Sequence, residues 1–330
     1  MITKELYNEQ ISSYKQKVEA TAFEYLEKVE VPALREPFKY LLEGGGKRIR
    51  PILAILGCGI AGGSTDDAID VALSMEVLHN FTLVHDDIMD SSPIRRGRPT
   101  IHMKWDISTG VLVGDLMIGY ACKLMPKKNM SRIFEIQKLF NDAIIEVCIG
   151  QAYDIQFNTE RNISVQDYLK MIYKKTSFLL VASIKMGALV GNASDEVLNS
   201  LEKFAENLGL GFQLQDDLLD LISDNPKFGK IKGQDLIEGK KTYLVIEANR
   251  RAVTNSDRVL MDDYYSSQGL SEDKIPDMID LMGKLGVFDD AKKLATDYFD
   301  KARTALKTLP DNKYRTMLEF VLEDIQIRTF

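Results

Sequence analysis

Cysteine is scarce in this chain: its 330 residues include Cys58, Cys122 and Cys148, with no Cys-x-x-Cys pair. That excludes a disulfide framework and a thiolate zinc site, and it makes a reducing, cytoplasmic setting the expectation. Histidine is equally rare, with His79, His85 and His102. Long apolar runs are missing too. The uncharged stretch 51–63 is too short to cross a bilayer and Lys185 interrupts the run over 178–191, so no integral membrane segment is expected. Residues 1–10 lack the basic-then-apolar order of a signal peptide. Alternation of the strand type, bounded by Asn-Gly or Asp-Gly turns, is nearly absent, and no Ser or Cys nucleophile signature occurs. No linker or low-complexity tract divides the chain.

What is present is ordinary globular material, 45% hydrophobic and 28% charged, with a net charge of −7. The acidic balance argues against a nucleic-acid binder. Basic residues nevertheless gather at 47–50, 95–98 and 240–241, which points to small anions as partners. The hydrophobic period predicts one all-α domain over 1–330, built as a bundle of about a dozen helices around a central cavity. Helices are expected over about 8–28, from Pro32 to the glycines at 44–46, from Pro51, from a cap at Asp66 or Asp67 through Asp90, from a cap near Ser108, and over about 130–158. Further ones are expected from the Ser164 to Asp167 capping box, after Thr176 to Gly191, and from Asp195 through Asp220. Residues 91–99 and 224–233 read as loops, and Pro276 and Pro310 as boundaries.

Two stretches carry the chemistry. Asp86, Asp87 and Asp90 stand at i, i+1 and i+4 on one helix, and Asp216, Asp217 and Asp220 repeat that spacing. In each set the residues at i and i+4 share one helix face and i+1 flanks them, and like charges roughly 5–6 Å apart repel by about 3 kcal/mol at an effective dielectric of 20. One such set is commonly a solvated acidic face. Two matched sets among apolar neighbours call for cations, and carboxylates with waters and phosphate oxygens suit Mg2+. The segment 44–51 places Lys47 and Arg50 beside a mobile glycine run, but it is not a Walker loop, having Leu41 and Arg48 where that motif needs Gly and Ser or Thr. Arg95 and Arg96 follow the first acidic set and offer phosphate forks. The His85-Asp86 doublet also admits a metal phosphohydrolase, yet His79 and His102 are few as further ligands.

In order along the chain stand Gly45-Gly-Lys-x-x-Arg-Pro51, Asp86-Asp-x-x-Asp90 with Arg95-Arg-Gly97, Lys175-Thr176, Phe212-Gln-x-x-Asp-Asp-x-x-Asp220, Gly229-Lys-x-x-Gly-x-Asp235 and Gly239-Lys-x-Thr242. This series resembles the head-to-tail trans-isoprenyl diphosphate synthases, or polyprenyl synthetases. The resemblance implies the isoprenoid synthase fold, a homodimer, and condensation of isopentenyl diphosphate with an allylic diphosphate by ionisation, condensation and elimination. It implies that Asp86, Asp87, Asp90, Asp216 and Asp220, with Asp217 nearby, hold three Mg2+ ions on the allylic diphosphate. Arg95, Lys175, Lys230 and Lys240 would grip that diphosphate, while Lys47, Arg50, His79 and Arg96 would bind isopentenyl diphosphate. Thr176 and Gln213, with Lys175, would face the developing cation. Phe81, five residues before Asp86, with Thr82 beside it, resembles the chain-length position of the geranylgeranyl type. A C20 product is expected, C15 next, and Phe81 as ordinary core is the alternative. Competing readings are a terpene cyclase of the same fold and a non-catalytic subunit of a heteromeric synthase.

Overall fold

A computed structural model describes residues 2–125, 131–223 and 232–327 of the chain. Helices carry the architecture, as the periodicity predicts. In order they are α1 (Lys4–Leu26), α2 (Pro32–Glu43), α3 (Ile49–Ile60), α4 (Ile69–Met89), α5 (Ile101–Lys104), α6 (Ile107–Lys123), α7 (Ile133–Phe157), α8 (Val165–Ile172) and α9 (Phe178–Val190). There follow α10 (Asp195–Ile222), α11 (Gln234–Ile237), α12 (Tyr243–Arg251), α13 (Asn255–Ser267), α14 (Ile275–Lys284), α15 (Val287–Leu306) and α16 (Lys313–Gln326). A five-residue π-helical turn, Tyr173–Ser177, joins α8 to α9. Among the described residues no helix is long and apolar enough to cross a membrane.

Local departures from the sequence reading have local causes. Residues 91–99 are not a plain loop, because Ile94–Arg95 (β1) and Arg98–Pro99 (β2) pair as a two-stranded antiparallel hairpin. Asp66 and Asp67 do not cap α4. They lie in a 3-10 turn, Thr65–Ala68, that runs directly into it. The cap of α6 is Asp106 rather than Ser108: its extended backbone lets the carboxylate accept from the Thr109 N–H at 2.7 Å. The capping box at Ser164 and Asp167 forms as expected.

Buried side chains from Tyr7 in α1 to Ile325 in α16 join in one hydrophobic cluster. At its centre α3 and α9 are apolar on nearly every side, the pattern of helices enclosed by others. They cross at Gly57 and Gly187. A methyl at Gly187 would meet the backbone of Ala54, with the Ala54 Cα at 2.8 Å, so the two helices touch main chain to main chain. Around this pair α10 packs along α15 and α4 along α6. The two acidic sets occupy the C-terminal turns of α4 and α10, so one rigid core presents both.

Candidate active site

The end of α4 divides its three carboxylates between two environments. Asp87 is buried, and its Oδ1 accepts from Nε and Nη2 of Arg95, both at 2.7 Å, because the hairpin folds Arg95 back over the helix end. Asp86 and Asp90 are half-buried. Burial pushes Asp86 up to about 6, with Asp90 and Asp154 adding repulsion and Lys175 and Arg95 offsetting part of it. Asp90 Oδ1 accepts from Lys240 Nζ at 2.9 Å.

Asp154, on α7, is the residue that sequence reasoning missed. Its Oδ2 accepts from Lys175 Nζ at 2.6 Å and Lys240 Nζ at 3.1 Å, so two cations expected on a diphosphate meet on one buried carboxylate. Those two ammonium groups hold the Asp154 carboxyl below the ordinary range despite burial. Neighbouring Gln151 is also buried, and neither atom of its amide has a partner among the described residues. A signal did exist: Gln151 and Asp154 fall on the α7 face formed by Ala143, Val147 and Gly150, where a polar side chain has no solvent reason to be. Gly150 lets the π-helical turn lie against α7, since a Cβ there would stand 2.6 Å from the Lys175 Cα.

On α10 the middle carboxylate again turns inward. Asp217 is buried, accepting from Tyr168 Oη at 2.6 Å and from Gln213 Nε2 at 2.8 Å. Burial, then Asp235, raises its pKa well above the usual carboxylate range. Gln213 Oε1 accepts from Thr176 Oγ1 at 2.9 Å, so Thr176, Gln213, Asp217 and Tyr168 form one hydrogen-bonded row. Asp216 and Asp220 are half-buried, and Asp220 Oδ2 accepts from the Asp235 N–H at 3.1 Å. Among the described residues no three acids, imidazoles or thiols already converge as a metal cluster. The carboxylates are held apart from one another on Arg95, Lys175, Lys240, Tyr168 and backbone, as their mutual repulsion favours.

A second, cationic pocket lies two turns back along α4. Arg50 is lowered to about 10, first by burial and then by Arg96, with Glu76 opposing. His79 is lowered well below its ordinary value by burial and by Arg50, Arg96, Arg95 and Arg48. The Arg50 Nε and His79 Nδ1 are enclosed without partners among the described residues. Arg96 donates to the Gly45 carbonyl, which closes the hairpin over the glycine segment, and Lys47 in that segment is exposed. Mutually repelling cations with enclosed donors make a site for an anion.

The remaining sequence candidates separate. Phe81 is buried with its ring 4.7 Å from that of His85, and Thr82 Oγ1 donates to the His79 carbonyl at 2.8 Å. His85 lies between Phe81 and α6, its Nε2 3.3 Å from the Val111 carbonyl. That orientation removes the basis for a His-Asp phosphohydrolase site. Lys230 lies outside the described residues.

Comparisons with known proteins place the whole chain among relatives of one family. A family model described as polyprenyl synthetase matches residues 31–282. The chain is 33% identical over 312 residues to the geranylgeranyl diphosphate synthase of Methanosarcina mazei, covering 94% of each. It is 30% identical over 310 residues to the geranylfarnesyl diphosphate synthase of Natronomonas pharaonis, covering 88% of this chain and 89% of that protein. Its fold superposes on the crystal structure of geranylgeranyl pyrophosphate synthetase from Pyrococcus horikoshii with a TM-score of 0.91, at 32% identity and 99% coverage of both chains.

Proposed function

This chain belongs to the polyprenyl synthetase family, and we propose that it condenses isopentenyl diphosphate with an allylic diphosphate to give a C20 product, with C15 the next alternative. It is an isoprenyl diphosphate synthase, a prenyltransferase that elongates short prenyl chains. The observation that carries the detailed reading is the pairing of two anion sites on one helix. One is an acidic cleft in which Arg95 holds Asp87, Lys175 holds Asp154 and Lys240 joins Asp90 to Asp154, and the other is the cationic cluster of Arg50, His79 and Arg96. Seven residues separate His79 from Asp86, about 10 Å along the helix. That spacing suits two diphosphates whose hydrocarbon ends must meet.

The acidic donors fit Mg2+: they are hard carboxylate oxygens, and Asp86 is held at a raised pKa by burial and its anionic neighbours. Asp86, Asp90, Asp216 and Asp220 would hold the ions, with Asp87 and Asp217 braced behind them by Arg95 and by Tyr168 and Gln213. Bound there, Mg2+ supplies positive charge to the allylic diphosphate and to the pyrophosphate it becomes. Arg95, Lys175 and Lys240 exchange their carboxylate partners for phosphate oxygens, and Lys230 joins them. Lys47, Arg50, His79 and Arg96 fix isopentenyl diphosphate. The allylic C–O bond breaks with both electrons on the leaving oxygen, and the Thr176 and Gln213 oxygens face the resulting cation. The isopentenyl double bond then forms the new C–C bond, and a proton leaves to the bound pyrophosphate. No side-chain nucleophile takes part.

Purified protein with Mg2+, an allylic diphosphate and labelled isopentenyl diphosphate tests this reading. No elongation from dimethylallyl, geranyl or farnesyl diphosphate would sink it. A hydrocarbon made from an allylic diphosphate alone would indicate a cyclase, and activity gained on adding a second subunit would indicate a non-catalytic partner. Phe81 has its buried ring one turn before Asp86, where a growing chain would pass. Phe81→Ala is therefore expected to lengthen the product by at least one C5 unit, and an unchanged chromatogram would make Phe81 ordinary core.

The exposed apolar residues Ile107, Val111 and Leu112 on α6 and Ile145 and Ile149 on α7 support a homodimer through that face. Sedimentation at micromolar protein should give twice the chain mass, and a monomer throughout would refute it. The three cysteines are free, which supports a reducing cytoplasmic setting.

A further inference from the structure

Arg48 spends its guanidinium away from the cluster of Arg50, His79 and Arg96 that lies two residues on. Its backbone is left-handed, with φ 53°, a conformation costly for any residue that carries a Cβ. Its buried guanidinium donates from Nη1 to Glu76 Oε1 at 2.7 Å, from Nη2 to the Leu42 carbonyl at 2.7 Å and from Nε to Glu19 Oε1 at 3.1 Å. Those acceptors belong to α4, α2 and α1, so one side chain ties the start of α3 to three other helices. Glu76 also accepts from Asn80 Nδ2 at 3.2 Å and stands one turn before His79 on the same helix. Its charge is the largest attraction offsetting burial at both Arg50 and Arg96.

A buried ion pair is a poor device for stability alone, because well-packed apolar residues of the same volume serve as well or better. What it does offer is direction. Three fixed acceptors around one planar fork hold the backbone at Arg48 in a single orientation, and that orientation decides where the side chains on either side point. We propose that the buried Arg48–Glu76 pair is the positioning device of the isopentenyl diphosphate site, locking the left-handed turn that sets Arg50 beside His79 and Arg96. The assignment rests on the reading of that pocket given above. The pair does not touch substrate; it acts through the residues that do.

The test separates anchoring from backbone strain. Arg48→Gly accepts the left-handed conformation without strain but loses all three anchors, and Arg48→Met with Glu76→Leu replaces the pair by apolar volume. Each variant is assayed for KM toward both substrates. Each is also titrated calorimetrically with isopentenyl diphosphate while Mg2+ and an unreactive allylic thiolodiphosphate fill the other site. The expected result is a rise of about tenfold in KM and Kd for isopentenyl diphosphate, with the allylic KM changed by less than about twofold. Arg48→Lys, which keeps the charge and part of the hydrogen bonding, should recover part of the loss. Wild-type affinity in Arg48→Gly would overturn the proposal, as would an equal rise in both KM values. If the double variant does not fold, Arg48→Gly decides alone. Wild-type protein that neither elongates nor binds isopentenyl diphosphate would overturn the functional reading, and this proposal with it. A wild type that elongates beside an unaffected Arg48→Gly would overturn only the positioning role.

Discussion

Asp86→Asn lowers kcat by about 10³-fold or more, and at neutral pH it raises the melting temperature of the metal-free protein. Both effects come from one cause. The Asp86 carboxylate is half-buried and is pushed up to about 6 from an ordinary 3.8, first by burial and then by Asp90 and Asp154, with Lys175 opposing. The folded state therefore holds this proton more tightly than the unfolded chain does. Between about pH 4 and 6 the folded form binds more protons, so stability falls as pH rises through that window, and the whole cost is present above it. Asparagine carries no such cost. With metal chelated, the advantage of the variant should grow from pH 4 to 6 and then level off at on the order of 2 kcal/mol, a few degrees in Tm. Magnesium with an allylic thiolodiphosphate should raise Tm of the wild type and move the variant little. Melting curves across pH, with and without ligand, check each part. A variant that melts below wild type at pH 7.5, or that elongates at more than a tenth of its rate, would remove Asp86 from the metal site.

Gly150→Ala costs about 10²-fold in kcat while leaving the helical content unchanged. The new methyl would meet the Lys175 backbone, with its Cα at 2.6 Å and the Lys174 carbonyl carbon at 2.8 Å, so main chain must move rather than a side-chain tip. The π-helical turn is the part that gives, since a helix of wider radius already departs from regular i→i+4 bonding there. Displacing it pulls Lys175 from Asp154 and Thr176 from Gln213 together. Single-turnover rates with unchanged circular dichroism would confirm the effect. A kcat within threefold of wild type would show that α7 shifts instead, and that the turn need not lie so close.

Much of this could be read from residue order. Apolar spacing gave the helices, and Asp-Asp-x-x-Asp at the ends of α4 and α10 gave the acidic cleft. The hairpin at 94–99 escaped because two-residue strands leave no periodic trace, and the true cap of α6 was missed because Asp106 and Ser108 are both good caps. Asp154 escaped because its place on the α7 face of Ala143, Val147 and Gly150 marks it as buried but not which groups it meets there. Only packing makes it the shared partner of Lys175 and Lys240, distant from it in the chain.

The sequence by itself determined the helical fold and the chemistry available at the ends of α4 and α10, because spacing along one helix fixes which side chains share a face. The tertiary structure alone decided how that chemistry is divided. It turned Asp87 and Asp217 inward onto Arg95, Tyr168 and Gln213, set Asp154 between two lysines, and pointed Arg48 at Glu76 while Arg50 lies beside His79. Azimuth on a helix is local. Depth, and the partner met at that depth, come from other helices far along the chain.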